Sequence, residues 1–526
     1  MIRPCRAMQE RAKPVYIFRC RATMDWISSS DRLPKSAAEW IVPVATVATL
    51  VAGVTVAIKS TAKSDKSPPT VPSWIPWLGN TWQIDADADA FMQLAEKKYP
   101  GGIFGVTYAG NKYYFVTSHK LINQVYKQPK TFGFSKVQMA WARSVFSVSE
   151  KALFGSMVFP EQLAPQFDKS ISPNNMMAIL ESFDNHLQRI VTEMALPAAN
   201  ESVSLAKFII QLSYKATTYA MYGPTFDAVG TFEDFNDFDR LVYKVAHGYP
   251  PSLLRDFVNG RENFIKAYGK YLDSHHEPSE LAGVQERIAS DAGFSQRDMG
   301  AMTLCALWPI MANVPWGSVW AMIMQLQQPN GVQPLIDELD AAGDRFMNVE
   351  ICLHGGQYFD YPLTFLQSSP ALPLLSSTYS ETLRYATDSY SFRGVVAEEG
   401  TVLGGYELKH GDTVLCSTRR VHMDEREFEN ADQWIPERFV ANEEGAKGTE
   451  GDFKWMPFGG GQSICGGRYL ATYHVKIMMM TLLKNFHFEI DHAKSKLPIK
   501  LSQANRGFGF RRPEGELFVK IRRISK

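Results

Sequence analysis

The sequence has no excess of either charge: 55 Lys and Arg stand against 55 Asp and Glu, a formal net charge of zero. That removes the electrostatic footprint of a nucleic-acid binder. Cysteine is sparse. The six are Cys5, Cys20, Cys305, Cys352, Cys416 and Cys465, with no C-x-x-C pair and no regular spacing. A disulfide framework and a zinc site of the usual spacing are therefore excluded. A reducing compartment fits, with most thiols acting as small buried hydrophobes. There is no internal repeat, no low-complexity tract, and no Pro/Gly/Ser-rich boundary after residue 80. What is present in quantity is apolar: 45% hydrophobic residues and 32 Phe, enough for a large interior or an apolar ligand.

One run stands apart. "WIVPVATVATLVAGVTVAI", residues 40–58, carries no charge, and at about 1.5 Å per residue it just crosses a hydrocarbon layer of roughly 30 Å. Lys59, Lys63 and Lys66 follow it, then Pro68, Pro69, Pro72 and Pro76. Basic residues beside a span favour the cytoplasmic side, and the prolines form a stiff link. A cleaved signal peptide fits less well, because the run is long and starts late. The expected organisation is a basic extension (1–39), a transmembrane anchor (40–58), a Lys/Pro-rich linker (59–80) and one large domain (81–526). Residues 1–23 read equally as targeting sequence or as a stretch upstream of a start at Met24.

Within that domain helical patterns dominate, over 174–328 and 373–386. "NKYYFVTSHKLINQVY" passes from an extended run into a helix. "FRGVVA" and "TVLCSTR" read as strands, and "GGYELKHGDTVL" as a hairpin turning at Gly404–Gly405 and Gly411–Asp412. The expectation is a mainly α fold with small β-sheets.

The sharpest chemical signal is "FGGGQSICGGRYLA", residues 458–471. A glycine-rich loop runs into an apolar helix, with Cys465 at the junction. A helix start stabilises a thiolate and lowers the thiol's pKa. Glycines let backbone N–H groups approach the sulfur. Three other signals precede it: Glu381 and Arg384 in "ETLR", which share a helix face; Arg393 in "SFRGVVA"; and Arg438 in "PERF".

The ordered set resembles the haem-thiolate monooxygenases of the cytochrome P450 superfamily over roughly residues 70–526. Phe458, Gly461, Cys465 and Gly467 match the family's cysteine loop, Glu381 and Arg384 its Glu-x-x-Arg, and Arg438 its later arginine. The resemblance implies the cytochrome P450 fold and haem b with Cys465 as the axial thiolate, which pushes electron density onto iron. It implies Phe458 beside the sulfur and a buried network of Glu381, Arg384 and Arg438 beneath the loop. It also implies a membrane-anchored enzyme of the endoplasmic reticulum, single-pass, with a cytoplasmic catalytic domain. Electrons would come from an NADPH-dependent reductase, and the substrate would be an apolar small molecule, sterol-like, terpenoid or polycyclic.

Two departures stand out. Ser463 occupies the place of the family's propionate-holding Arg or His, which leaves Arg393 as the best remaining propionate partner. The distal helix, "CALWPIMANVPWGSVWAMIMQL", has no acid–alcohol pair. Asn313 takes the position over iron, where an amide donates hydrogen bonds but relays protons poorly. Pro309 and Pro315 remove N–H groups from Cys305 and Met311 carbonyls and predict a kink; Met311 and Val314 are expected to point elsewhere. The missing pair also suits a second reading, a haem-thiolate isomerase or dehydratase acting on a peroxide without a reductase. Ser463 and the Ala-Asn-x-Pro-like segment resemble the group of sterol 7α- and 12α-hydroxylases and prostacyclin synthase; the loop's form also resembles microsomal enzymes of fungal specialised metabolism.

Overall fold

The computed structural model describes residues 66–526 apart from 74, 76, 156–158, 199, 247, 343–371, 441–453, 504 and 525–526. The expected anchor at 40–58 and the extension before it lie outside the described residues. No helix among the described residues is long and apolar enough to cross a membrane.

Residues 66–80, expected as the end of a linker, pair with the domain: the Gly105 N–H donates to the Pro69 carbonyl at 2.7 Å, and the Val71 N–H to the Gly105 carbonyl at 2.8 Å. Pro69, one of the prolines that suggested a spacer, sits at a sheet margin beside Thr70, where a missing N–H is tolerated.

The helices that position the site are α1 Ala88–Lys98, α2 His119–Tyr126, α3 Ser135–Ser144, α4 Ala164–Ser170, α5 Met177–Glu193, α6 Leu205–Tyr222, α7 Phe232–Ala246, α8 Arg255–Asp273, α9 Glu280–Asp291, α10 Gln296–Met311, α11 Val314–Leu326, α12 Pro373–Ala386, α13 Thr418–His422 and α14 Arg468–Asn485. The strands are β1 Ile103–Tyr108, β2 Asn111–Val116, β3 Thr387–Val395, β4 Thr401–Leu403, β5 Tyr406–Leu408, β6 Thr413–Ser417 and β7 Phe508–Phe510. Most of the core is helix on helix. In α11 ten of thirteen side chains are buried, so it carries no polar face and runs through the interior. It packs on α6, α12 and α14.

The largest sheet has six strands and runs β1-β2-β6-β3-β7, with Phe132–Gly133 also pairing with β3. The β2/β6 pair is parallel, joining Tyr113 to Thr413; β3 and β6 are antiparallel, with Arg393 opposite Val414. The expected hairpin is shorter than its sequence suggested. β4 and β5 turn at Gly404–Gly405, but after Gly411–Asp412 the chain leaves to join β2 and β3 as β6. Val414, Leu415 and Cys416 are buried, and a fully buried strand belongs in the middle of a sheet rather than in a free hairpin.

Candidate active site

Cys465 lies just before the start of α14, and Gly467 is the residue that caps it. Its N–H donates to the Phe458 carbonyl at 3.0 Å, which closes the loop. The glycines answer to α2 beneath them. Gly461 has φ +67°, and a Cβ there would lie 2.4 Å from the Tyr126 carbonyl oxygen; at Gly460 it would lie 2.4 Å from the Tyr126 ring. Any side chain would push the loop off α2.

The sulfur opens onto a cavity of about 620 Å³. Trp141, Phe146, Phe167, Met302, Ala306, Leu470 and Phe508 are among the apolar residues that line it, together with Phe458, Ser463, Gly467 and Asn313. Two thiols reach this wall. Burial alone pushes Cys305 up to about 12. At Cys465 burial also raises the thiol, and Asp168 adds to it, while N–H groups of Gly467 and Arg468 and the Arg468 guanidinium pull it down. The helix start thus acts in the expected direction but burial outweighs it, so the free thiol stays above its ordinary range. A coordinated metal reverses that balance, since it strips the proton from a thiol outright. Among the described residues no three His, Cys, Asp or Glu side chains gather as a metal site. A metal brought in by its own macrocycle, needing one sulfur, fits this wall.

The charge network is complete. Glu381 and Arg384 are fully buried. Arg384 Nε and Nη2 meet the two Glu381 oxygens at 2.7 and 2.8 Å. Its other N–H groups donate to the carbonyls of His422, Ala431 and Gln433, each at 2.7 Å. Arg438 Nε donates to Glu381 at 3.0 Å, and so does the Ile435 N–H at 2.9 Å. All five guanidinium donors are used, which is what a buried arginine requires.

Sequence reasoning missed His422, the link from this network to the loop. Its carbonyl takes an Arg384 donor, and its Nε2 accepts the Met456 N–H at 3.0 Å. Burial, with Arg384 and Arg419 adding to it, pushes its pKa down to about 3. The ring is therefore neutral, as an acceptor Nε2 demands. No local pattern marks it, because its partners come from other parts of the chain. Asp168 on α4 was also missed: its carboxylate lies beside Gly466, and burial raises its pKa.

Arg393 is 5% exposed. Its guanidinium lies over the rings of Tyr126 and Phe134, at 5.6 and 5.4 Å, and donates to the Phe392 carbonyl. It meets no carboxylate among the described residues. Arg393 is not itself part of the cavity wall, which its neighbours Phe134 and Phe392 line; a buried guanidinium without an anion suits a ligand that carries one. Ser463 lines the cavity and makes no hydrogen bond among the described residues, so it offers a neutral group where a cation was expected.

The distal helix breaks, though not at Pro309. α10 runs through Pro309 to Met311, and α11 begins at Val314. Asn313 sits in the break, with Nδ2 donating to the Pro309 carbonyl at 2.9 Å. Its Oδ1 abuts Gly509, where φ is +110° and a Cβ would lie 1.8 Å from that oxygen. Asn313 thus bridges the break and lines the cavity at once. Met311 does turn away, but Val314 lines the cavity, because the break resets which face of α11 meets the site. Behind the wall Asp239 joins three elements: it accepts from Trp308 Nε1 at 2.9 Å and from Arg512 Nη2 at 2.8 Å, and Arg512 Nη1 donates to the Ala312 carbonyl at 3.1 Å.

Comparison with known proteins agrees with this geometry. The family model Cytochrome P450 matches residues 364–519. Cytochrome P450 7A1 of Oryctolagus cuniculus is 22% identical over 486 residues, covering 86% of this chain and 93% of that protein. Cytochrome P450 monooxygenase fsoE of Humicola fuscoatra is 24% identical over 528 residues, covering 87% and 88%. Among solved structures, cyanobacterial CYP120A1 bound to retinoic acid aligns with a TM-score of 0.65 at 16% identity, over 87% of this chain and all of that one. A cysteine loop opening on an apolar cavity, a closed Glu-Arg-Arg network beneath it and relatives matched over nearly their whole length lead to one conclusion: the chain is similar to the monooxygenases of the cytochrome P450 superfamily.

Proposed function

We propose that this chain is a monooxygenase that oxidises an apolar substrate of sterol-like, terpenoid or polycyclic kind, with haem b held by Cys465. The observation that carries the reading is the apolar cavity into which the Cys465 sulfur opens. When bound, haem-thiolate iron supplies the activation of dioxygen with electrons delivered from NADPH through a reductase. The chain's own residues hold and shape. The Gly467 and Arg468 N–H groups turn toward the sulfur and favour its anion. Phe458 limits water at the loop. Arg393 pairs with a propionate, and Ser463 offers that edge at most a neutral hydrogen bond. Glu381, Arg384 and Arg438 hold the loop in register through His422 and Met456. An amide has two N–H donors; Asn313 commits one to Pro309 and would have one to offer an acceptor in the cavity.

Residues 40–58 anchor the enzyme in the endoplasmic reticulum with the catalytic domain in the cytoplasm. Support comes from the uncharged run and the lysines after it. The name of one relative, 25-hydroxycholesterol 7-alpha-hydroxylase of Rattus norvegicus, supports a polycyclic substrate. The test is a comparison of metabolites between a knockout and its parent, followed by turnover of the missing compound's precursor by the purified protein. Product should require NADPH and reductase. Product from an organic hydroperoxide with neither present would support the isomerase reading instead.

A further inference from the structure

Besides Asp168, Asn313 and Ser463, the cavity wall carries a group of polar residues where α8, α9 and α10 meet. There Tyr268, Gln285, Glu286 and Thr303 line the wall, beside Ala289 and Met299. The Tyr268 hydroxyl donates to Glu286 Oε1 at 3.0 Å. His276 Nε2 lies 3.0 Å from Glu286 Oε2. Thr303 stands beside the Tyr268 phenol. Glu286 is thus held rigidly from two sides by groups on α8 and just after it. Gln285 is different: it reaches the cavity and makes no hydrogen bond among the described residues. An amide left idle beside a fixed carboxylate, in a largely apolar wall, is an arrangement that awaits a partner.

We propose that Gln285 and Glu286 bind a hydroxyl group of the substrate, at the end of the molecule farthest from the carbon attacked. A hydroxyl satisfies both residues, donating to the Glu286 carboxylate and accepting from Gln285 Nε2. A substrate carboxylate would be repelled by Glu286, and a ketone would leave the carboxylate without a donor. A cation is less suited, because His276 and Tyr268 already compensate the Glu286 charge. The distance is set by α10. Thr303 stands eight residues before the end of α10 at Met311, about 12 Å along that helix, with Asn313 beyond it, so the substrate is an elongated apolar body with an alcohol at one end. This rests on the proposed reading of the cavity as the substrate site.

The test uses the full-length haem-loaded enzyme and two probe pairs, cholesterol with cholest-5-ene and 1-hexadecanol with hexadecane, delivered in cyclodextrin. Binding is read from the spin-state shift of the Soret band. In the parent the alcohol of at least one pair should bind about tenfold tighter than its hydrocarbon, the worth of one or two good hydrogen bonds. Gln285→Leu should bring that ratio below about threefold. Equal binding of alcohol and hydrocarbon in the parent overturns the proposal and leaves the apolar-cavity reading standing. A tenfold ratio that survives Gln285→Leu also overturns it, since the hydroxyl is then held elsewhere. If no probe shifts the spectrum, the substrate reading falls together with the proposal. Should Gln285→Leu fail to load haem, Glu286→Gln is read by the same criteria.

Discussion

His422 gives the sharpest test of how the cysteine loop is supported. Its ring is buried and neutral, with a pKa pushed down from 6.5 to about 3 by burial and by Arg384 and Arg419. In the unfolded chain the same ring takes up a proton near pH 6.5. Below that pH the unfolded state binds more protons than the folded one, so stability falls as pH falls, starting near 6.5 and ending near 3. At pH 5 the loss relative to pH 8 is about 2 kcal/mol, at 1.36 kcal/mol per unit. Replacing His422 with Phe removes this liability, but it orphans the buried Met456 N–H, which now meets Nε2 at 3.0 Å. That costs about 1–3 kcal/mol at every pH. His422→Phe should therefore be the weaker protein at pH 8, and its deficit should shrink by about 2 kcal/mol at pH 5. Urea unfolding followed by far-UV circular dichroism, on both proteins at both pH values, measures the difference; other titrating groups are common to both and cancel. A deficit equal at pH 8 and pH 5 refutes the neutral, buried ring.

Cys465→Ser should abolish the strongly red-shifted Soret band of the reduced carbon monoxide complex; its survival would reassign the iron ligand. Arg384→Ala takes from Glu381 its bidentate partner in a site with no exposure, leaving Arg438 alone to balance the charge, and should cost about 3–5 kcal/mol, seen as little haem per protein, whereas normal haem content at normal expression would contradict a structural role. Asn313→Leu should keep its haem but divert NADPH toward hydrogen peroxide, while Met311→Leu should not; coupling equal to the parent would remove Asn313 from the site. Deleting residues 1–58 should release much of the protein from membranes, and protection of the C-terminus from protease in sealed microsomes would overturn the proposed orientation.

What was legible in the sequence was what is local. The cysteine loop could be read because its glycines answer to one neighbouring helix and its helix starts within two residues. Glu381 and Arg384 could be read because an i,i+3 pair shares a face. The helix from Arg468 and the one from Pro373 to Ala386 show their apolar content directly. The hairpin after Gly411 misled, because turn residues report a change of direction and not the strand that is joined next. His422 was invisible because its value lies in contacts to Arg384 and Met456, on either side of it in the chain. Asp239 and Arg512 stand 273 residues apart, and no spacing rule reaches that far.

The break in the distal helix shows why such contacts matter more than the motif it replaces. Two prolines predict disorder in the hydrogen bonding, yet Pro309 sits inside an intact helix, so a missing N–H alone does not open the chain. The break falls where the lost partners are replaced from outside. The Asn313 side chain takes the Pro309 carbonyl, and Arg512 takes that of Ala312. Arg512 in turn is neutralised by Asp239, which also fixes the Trp308 indole. Helix α7, the distal helix and the segment after β7 are thus joined at one point beside the cavity. Gly509 completes the fit, because only a residue without Cβ lets that turn lie against the Asn313 amide. The geometry opposite Cys465 is therefore set by residues that carry no signature of their own, and a change in any of them reaches the site through the position of Asn313.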